Sequence, residues 1–366
     1  MKIAFITGGL KPGRDGVGDY TRRLAAECMR QGHSSVILSL NDQHISRFLS
    51  EGQEIEDVVV PGLRLPRSTP WPDRLVAARD YLNAFAPDWV SLQFVPFAFH
   101  PRGLGVSLPW QLSKVIGTRP LHWMFHELWV LWRLPLPLRQ RLLGQCQKLC
   151  LRIWLQQLQP KIVTTQLSLY QTELSKLGVR AEILPLHGNI PVGPKADADR
   201  WLASRCAVVA HGHQVKAGFF GNILATLDRS LLAARMAELR APGKELLLLS
   251  AGRIGRESTQ LWDALAEELK ALARFVKLGE LDEPESSLYF SALDYGLTSY
   301  PPELMGKSGS VAAMNEHGLP TIACGSMGWG TKRHAGQFRA DGRCTQPWTV
   351  KQTADTLLHH LRPDGI

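Results

Sequence analysis

Lys307, Ser308 and Gly309 stand just ahead of the run Ser310-Val311-Ala312-Ala313-Met314-Asn315-Glu316-His317-Gly318-Leu319-Pro320, and together form the group in this chain best suited to hold an anion. Small polar residues feeding a short helix leave its first amide hydrogens unpaired, so a lysine beside the free amides of Ser308 and Gly309 makes a phosphate site. A helix merely capped near Ser308 and stopped at Gly318 is the plain alternative. Arg253, in Ala251-Gly252-Arg253-Ile254-Gly255-Arg256, is a second anion-seeking group, because a guanidinium grips two phosphate oxygens at once and keeps its charge in any pocket. Arg256 adds positive charge nearby. Glu303 would be repelled by a diphosphate and suits a ribose or sugar hydroxyl instead. Gly279 and Glu280 can bring backbone N–H and C=O to the edge of a nucleobase.

The other groups lie in the first half. Gly8-Gly9-Leu10-Lys11-Pro12-Gly13-Arg14-Asp15-Gly16-Val17-Gly18-Asp19-Tyr20 has five glycines, which let backbone approach a ligand. It departs from the dinucleotide fingerprint in glycine spacing and lacks an acid at the end of the next strand. Gly16, Val17 and Gly18, ahead of a helix, still offer amides to an anion or a sugar; a tight turn is the competing reading. His126 and Glu127 follow an apolar run, and His126 suits a sugar hydroxyl or a phosphate. His122 and His126 resemble half a zinc site, but Glu127 follows the second histidine instead of the first and no third ligand is apparent, so no metal is expected. His211 and Gly212, in His211-Gly212-His213, are expected to line a ligand site or to pack as an ordinary loop. His187 and Asn189, in His187-Gly188-Asn189, suit a hinge or an acceptor contact, and Trp129 an acceptor surface.

Each group follows a segment with strand character. Lys2 to Thr7, Ser35 to Leu40, Val58 to Val60, Trp89 to Phe94, Leu121 to Phe125, Lys161 to Thr165 and Ala181 to Leu186 read as strands. Tyr20 to Gln31, Leu75 to Phe85 and Leu136 to Leu158 read as helices between them. The second half restarts at Cys206 to Ala210, followed by strands at Leu246 to Ser250, Phe275 to Leu278, Tyr295 to Thr298 and Thr321 to Ala323. Helices at Ser258 to Leu272, Glu285 to Leu293 and Ser308 to Glu316 separate these. The order predicts an α/β protein of two parallel-sheet, Rossmann-like domains facing an interdomain cleft, since ligands gather beyond the carboxyl ends of parallel strands. The proline-punctuated stretch Pro185 to Pro194 divides a first domain, 1–190, from a second, 195–345. A last helix within 350–366 is not assigned to either.

The 366 residues exceed the roughly 100 to 200 expected of one domain. With 45% apolar and 20% charged residues, the chain reads as globular, and no run approaches the roughly 20 apolar residues needed to span a bilayer. Cysteines 28, 146, 150, 206, 324 and 344 have no framework spacing, which suits reduced thiols in a cytoplasm. The net charge of +9 invites a nucleic-acid reading, but no finger, basic zipper or RNA-binding motif supports it. From Arg119 to Lys161 seven Lys or Arg face only Glu127, among Trp123, Trp129, Trp132 and Trp154. That combination suits a peripheral contact with an anionic membrane, through an irregular flap beginning at Trp129 and a basic helix carrying Arg139 and Arg141.

In their order these segments resemble the double-Rossmann (GT-B) nucleotide-sugar-dependent glycosyltransferases, in particular the retaining group 1, or family 4, enzymes. The resemblance rests on Gly9 to Tyr20, on Ala251-Gly252-Arg253, on Asp294-Tyr295-Gly296-Leu297 leading to Pro302 and Lys307-Ser308-Gly309, and on Ala312 to Pro320. It implies transfer of a sugar from a nucleoside diphosphate sugar to a hydroxyl acceptor (glycan, lipid-linked or small molecule), with retention and without a bound metal or permanent cofactor. It further implies that Gly16 to Gly18 approaches the donor, that His126 contacts the transferring sugar, and that Arg253 meets the diphosphate; Lys307 is expected to share its charge. Two departures stand out. The family commonly carries a lysine five residues after the arginine, where Ser258 stands, and two glutamates where Met305 and Ala313 stand. A non-hydrolysing epimerase of the same build, or a non-catalytic partner subunit, are the competing functions.

Overall fold

A computed structural model describes residues 1–130, 137–206, 213–326 and 347–362. In chain order the elements are β1 (Lys2–Thr7), α1 (Gly16–Arg30), β2 (Ser34–Asp42), β3 (Leu49–Ile55), β4 (Val58–Pro66), α2 (Trp71–Phe85), β5 (Trp89–Phe94), α3 (Pro96–Phe99), α4 (Leu108–Ile116), β6 (Leu121–Phe125), α5 (Leu138–Leu158), β7 (Ile162–Thr165), α6 (Ser168–Ser175) and β8 (Glu182–Ile183). There follow α7 (Ala198–Arg205), β9 (Gln214–Phe220), α8 (Arg229–Leu239), β10 (Glu245–Ala251), α9 (Arg256–Glu268), β11 (Arg274–Gly279), α10 (Glu283–Ala292), β12 (Tyr295–Thr298), a 3-10 turn (Pro302–Lys307), α11 (Gly309–Glu316), β13 (Thr321–Ala323) and α12 (Val350–Leu361). The chain divides into two compact units, Met1–Pro185 with Val350–Ile366, and Leu186–Thr349. Each is a Rossmann-like α/β domain. The last helix, α12, packs on α1 of the first unit, and Thr353 Oγ1 donates to the carbonyl of Pro185 at 3.2 Å.

The first unit holds an eight-stranded sheet ordered β3-β4-β2-β1-β5-β6-β7-β8. Its pairs are parallel except β3 with β4. The strand β3 departs from the expectation of a purely parallel sheet. Its sequence, Leu-Ser-Glu-Gly-Gln-Glu-Ile, is largely exposed, as suits an edge strand, and only Gln53 and Ile55 are buried. The expected strand at Val58 to Val60 runs on to Pro66, because Pro61 falls before β4 begins to pair with β2 at Gly62.

The second unit holds a five-stranded parallel sheet ordered β11-β10-β9-β12-β13. Along β10, Leu246 and Leu248 pack on one face with Phe219, Trp262 and Leu265, while Leu247, Leu249 and Ala251 pack on the other with Tyr289, Phe290 and Met314. This period of two, apolar on both faces, is what a parallel sheet between helices requires. Of the expected first strand at Cys206 to Ala210, Cys206 closes α7, its amide bonded to the carbonyl of Leu202, and the remainder lies outside the described residues; the first described strand of this unit is β9. Lys216 and Gly218 make β9 look polar in sequence. Lys216 is held by Asp199, and Gly218 leaves room for the Tyr289 hydroxyl, which donates to the Phe219 carbonyl at 3.0 Å.

Candidate functional sites in the two units

In the first sheet the strand order reverses between β1 and β5, the position beyond which parallel α/β sheets collect ligands. The loop after β1 and the short helix α3 that follows β5 touch there: an added Cβ on Gly8 would lie 2.5 Å from Ala98 Cβ. The glycine-rich loop is tied from within by acids. Asp15 caps α1, its Oδ1 accepting the amides of Val17 and Gly18 at 3.0 Å each. Asp19 accepts the amide of Gly13, and Asp42 accepts that of Leu10 at 3.2 Å. This corrects the expectation of free amides at Gly16 to Gly18: those of Val17 and Gly18 are occupied by Asp15, and Gly18 is buried with an ideal Cβ only 2.5 Å from the Gly9 carbonyl. Gly16 alone of the three is exposed.

His126 stands where β6 ends, its amide bonded to the Phe94 carbonyl of β5. It is 4% exposed, meets the ring of Tyr20 edge-on at 4.8 Å, and lies 2.9 Å through Nε2 from Gln93 Oε1. Burial pushes its pKa down to about 3, so the ring is neutral at any physiological pH. Glu127 follows it, half-buried. Trp129 is buried, with Lys148 Nζ 5.2 Å from its ring centroid. The expected flap beginning at Trp129 is therefore corrected at that residue; its continuation, including Trp132, lies outside the described residues. Trp123 and Trp154 are core as well, in a cluster with Phe94, Phe99 and Phe125.

In the second sheet the order reverses between β9 and β12. The loop after β12 leads through Ser299 and Tyr300 into the 3-10 turn that carries Glu303 and Lys307, both half-buried. Ser308 is the N-cap of α11. Its hydroxyl accepts the amide of Val311, and its own amide goes to the Met305 carbonyl at 3.0 Å. The free first-turn amides are thus those of Gly309 and Ser310, one residue later than expected. Lys307 Nζ lies 5.5 Å from the Tyr300 ring centroid. Across the sheet, Arg253 and Glu280 project from the loops after β10 and β11 and form an ion pair at 3.2 Å, while the Gly252 amide donates to the Gly279 carbonyl at 2.8 Å. Gly252 and Gly279 adopt φ of 83° and 81°, which glycine alone takes without strain. Arg256, exposed, opens α9. His187 and Asn189, expected on the acceptor side with Glu127 and Trp129, lie in the second unit. There Gly188 abuts Ala313, and an ideal Cβ on Gly309 would lie 3.4 Å from the Asn189 side chain. His211 and Gly212 lie outside the described residues.

Gly221, Asn222 and Ile223 follow β9 and so lie at the reversal, a position that the local sequence pattern does not single out. Asn222 Oδ1 accepts the amide of Gly255 at 2.8 Å, and the Ser258 hydroxyl accepts the amide of Ile223. Ser258 is therefore a buried pin between two loops. Met305 and Ala313 are fully buried too. Among the described residues no group of three or more His, Cys, Asp or Glu side chains could hold a metal ion.

The two sheets, with their reversals and helices on both faces, define the double-Rossmann fold of the GT-B type. No family model matches the chain, and no curated protein does. Among solved structures, the chain resembles sucrose-phosphate synthase from Thermosynechococcus elongatus at 16% identity and a TM-score of 0.63, over 99% of this chain and 90% of that one. It resembles Anabaena HepE in complex with UDP-glucose at 15% identity and a TM-score of 0.57, over 100% and 90%. The catalytic domain of starch synthase IV from Arabidopsis thaliana, bound to ADP and acarbose, aligns at 13% identity and a TM-score of 0.55, over 99% and 92%.

Proposed function

We propose that the protein is a glycosyltransferase that moves a sugar from a nucleoside diphosphate sugar to a hydroxyl acceptor, with retention at the anomeric carbon and without a metal ion. The reading is carried by the first turn of α11, where the amides of Gly309 and Ser310 stand beside Lys307 at the carboxyl end of the second sheet. Unpaired helix-terminal amides and a neighbouring ammonium suit the negative charge that a departing nucleoside diphosphate gains on its terminal phosphate as the glycosidic bond breaks. Arg253 and Arg256 are cations for the same diphosphate; Gly279 and Glu280 suit the nucleobase, and Glu303 a ribose or sugar hydroxyl. The first unit supplies His126 to the transferring sugar and Glu127 to the acceptor. Because His126 is neutral, it acts through hydrogen bonding and not through charge.

A cytoplasmic site of action at the inner face of a membrane fits the exposed leucines and arginines of α5, and an acceptor carried on a lipid fits with it. No helix among the described residues is long and apolar enough to cross a membrane. A second reading, a partner subunit that binds donor without turnover, draws on Met305 and Ala313, buried where the resembled family carries glutamates.

Titration with a panel of sugar nucleotides, followed for both binding and hydrolysis or transfer, tests both readings. Binding with turnover is the expected result. Binding without turnover against any acceptor favours the partner subunit, and failure of every sugar nucleotide to bind removes both.

A further inference from the structure

Five buried polar side chains on three adjacent strands of the first unit form a continuous chain that ends at His126. Ser91 and Gln93 share a face of β5, His122 and Met124 lie beside them on β6 with His126 just beyond, and Thr164 lies on β7 opposite Met124. Ser91, His122 and Thr164 are fully buried and Gln93 is 1% exposed, so each polar atom needs a partner inside the protein.

The partners fix the direction of every bond. The Thr164 hydroxyl donates to Met124 Sδ at 3.0 Å, which leaves its oxygen to accept from His122 Nε2 at 2.8 Å. A neutral imidazole protonated at Nε2 has Nδ1 as its acceptor, so the Ser91 hydroxyl donates to His122 Nδ1 at 2.8 Å. Ser91 Oγ then accepts from Gln93 Nε2 at 2.7 Å, which turns Gln93 Oε1 toward His126. His126 Nε2–H donates to that oxygen at 2.9 Å. Reversing the sequence would forfeit the hydroxyl–sulfur bond and gain nothing. Burial pushes the pKa of His122 as well as His126 down to about 3, so protonation of either ring does not interrupt the order near neutrality.

We infer that Gln93 is a positioning residue which, at the end of this one-way chain, holds His126 with its proton on Nε2 and so offers the Nδ1 lone pair to a hydroxyl of the donor sugar. The acceptor role of Nδ1 rests on the glycosyltransferase reading; the proton order rests on the chain alone. His126 then accepts a hydrogen bond from the sugar through Nδ1, its ring N–H being given to Gln93. A donor lacking the matching hydroxyl loses that bond.

Nitrogen NMR of the full-length protein, labelled at histidine, reads the proton position directly. The expected spectrum has His126 protonated at Nε2 and bare at Nδ1; a dominant Nδ1–H form overturns the proposal. Thr164→Val, which keeps the side-chain shape and does not touch His126, should raise the Nδ1–H fraction of His126, an effect that packing alone does not transmit. Gln93→Glu should keep the Nε2–H form while raising the His126 pKa, giving the rate a new acid limb absent from the parent; an unmoved titration overturns the role of Gln93. Gln93→Leu should lower turnover of an accepted sugar nucleotide about tenfold, the worth of roughly one hydrogen bond. The Nε2–H form in a protein to which no sugar nucleotide of the panel binds would overturn the acceptor role and the glycosyltransferase reading together. Turnover with the proton on Nδ1 would overturn the proton order and leave that reading standing.

Discussion

Asp19 Oδ1 accepts the amide of Gly13 at 3.0 Å, so the first turn of α1 reaches back and closes the glycine-rich loop that precedes it. The same carboxylate meets Arg22 Nη1 at 3.3 Å, Arg22 Nε donates to Gln53 Oε1, and Gln53 Nε2 donates to the Leu10 carbonyl. The loop after β1 is therefore a structure stabilised by its own acids and by the edge strand β3. Its rigidity costs the burial of two carboxyl groups, Asp15 and Asp19.

That burial makes the stability of the first unit depend on pH. Desolvation raises the Asp19 pKa from 3.8 to about 6, opposed only in part by the Gly13 amide and Arg22, and raises that of Asp15 as well. Since the folded pKa exceeds the unfolded one, the contribution is fully present below pH 3.8 and is lost as pH rises through about 6. The loss for Asp19 is on the order of 3 kcal/mol. Asp19→Asn should therefore flatten the pH dependence of unfolding between about pH 4 and 6 and compare better with the parent at pH 8 than at pH 4. Denaturant melts across that range check it, and parallel curves for the two proteins would refute it.

Two glycines of the same loop should respond oppositely to one methyl group. An added Cβ on Gly18 would lie 2.5 Å from the Gly9 carbonyl, whereas one on Gly16 meets nothing within 4 Å. Gly18→Ala should cost about 1–3 kcal/mol through forced backbone movement, and Gly16→Ala should stay within about 0.5 kcal/mol of the parent. Equal melting temperatures for the two variants would mean that the loop is not packed as described.

Arg253→Ala and Lys307→Ala should each lower donor turnover by about a hundredfold, the effect of losing one group aimed at growing negative charge. Arg253 is exposed in its loop and Lys307 ends the 3-10 turn outside the apolar core, so the melting temperature should hardly move. Steady-state kinetics decide the point: unchanged rates in both variants would place the diphosphate elsewhere.

The parts of this fold that local pattern encodes were legible. β1 carries the apolar run Ile3 to Ile6, β5 alternates large apolar residues with Ser91 and Gln93, Gly32 and Gly318 follow helices and adopt positive φ, and the leucines of α12 repeat at helical spacing. β9 was not legible because Lys216 and Gly218 interrupt its pattern for reasons that lie far away in sequence, at Asp199 and Tyr289. Of the sites, the loops could be located after strands, but their internal partners could not. Asp15 occupying the amides of Val17 and Gly18, and Ser308 giving its amide to Met305, are capping details that shift a site by a residue. The chain from Thr164 to His126 joins residues up to about 70 positions apart, and only strand register brings them together.

Donor turnover should survive exhaustive chelation. The positive charge available to a leaving diphosphate resides in Arg253, Arg256, Lys307 and the α11 amides, and no acidic cluster that would suit magnesium or manganese occurs among the described residues. Activity abolished by chelator and restored by either ion would overturn this expectation.

Trp123, Trp129 and Trp154 are buried, so within the basic interval the described surface that suits a membrane is that of α5. Leu138, Leu142 and Leu149 are 68%, 58% and 58% exposed and recur at near-helical spacing, with Arg139, Arg141 and Arg152 exposed around them. Apolar side chains at the level of lipid headgroups with arginines beside them match an anionic leaflet, each charge adding roughly 1 kcal/mol of attraction. Binding to vesicles should rise with anionic lipid content and weaken in salt. Leu142→Gln should reduce it at every salt concentration, because it removes apolar contact, whereas Arg139→Glu with Arg141→Glu should abolish its dependence on anionic lipid. Trp129→Ser should instead lower stability, since Trp129 is buried against Lys148. Co-sedimentation separates these effects, and equal indifference to neutral and anionic vesicles would leave α5 without this role and point to a soluble acceptor.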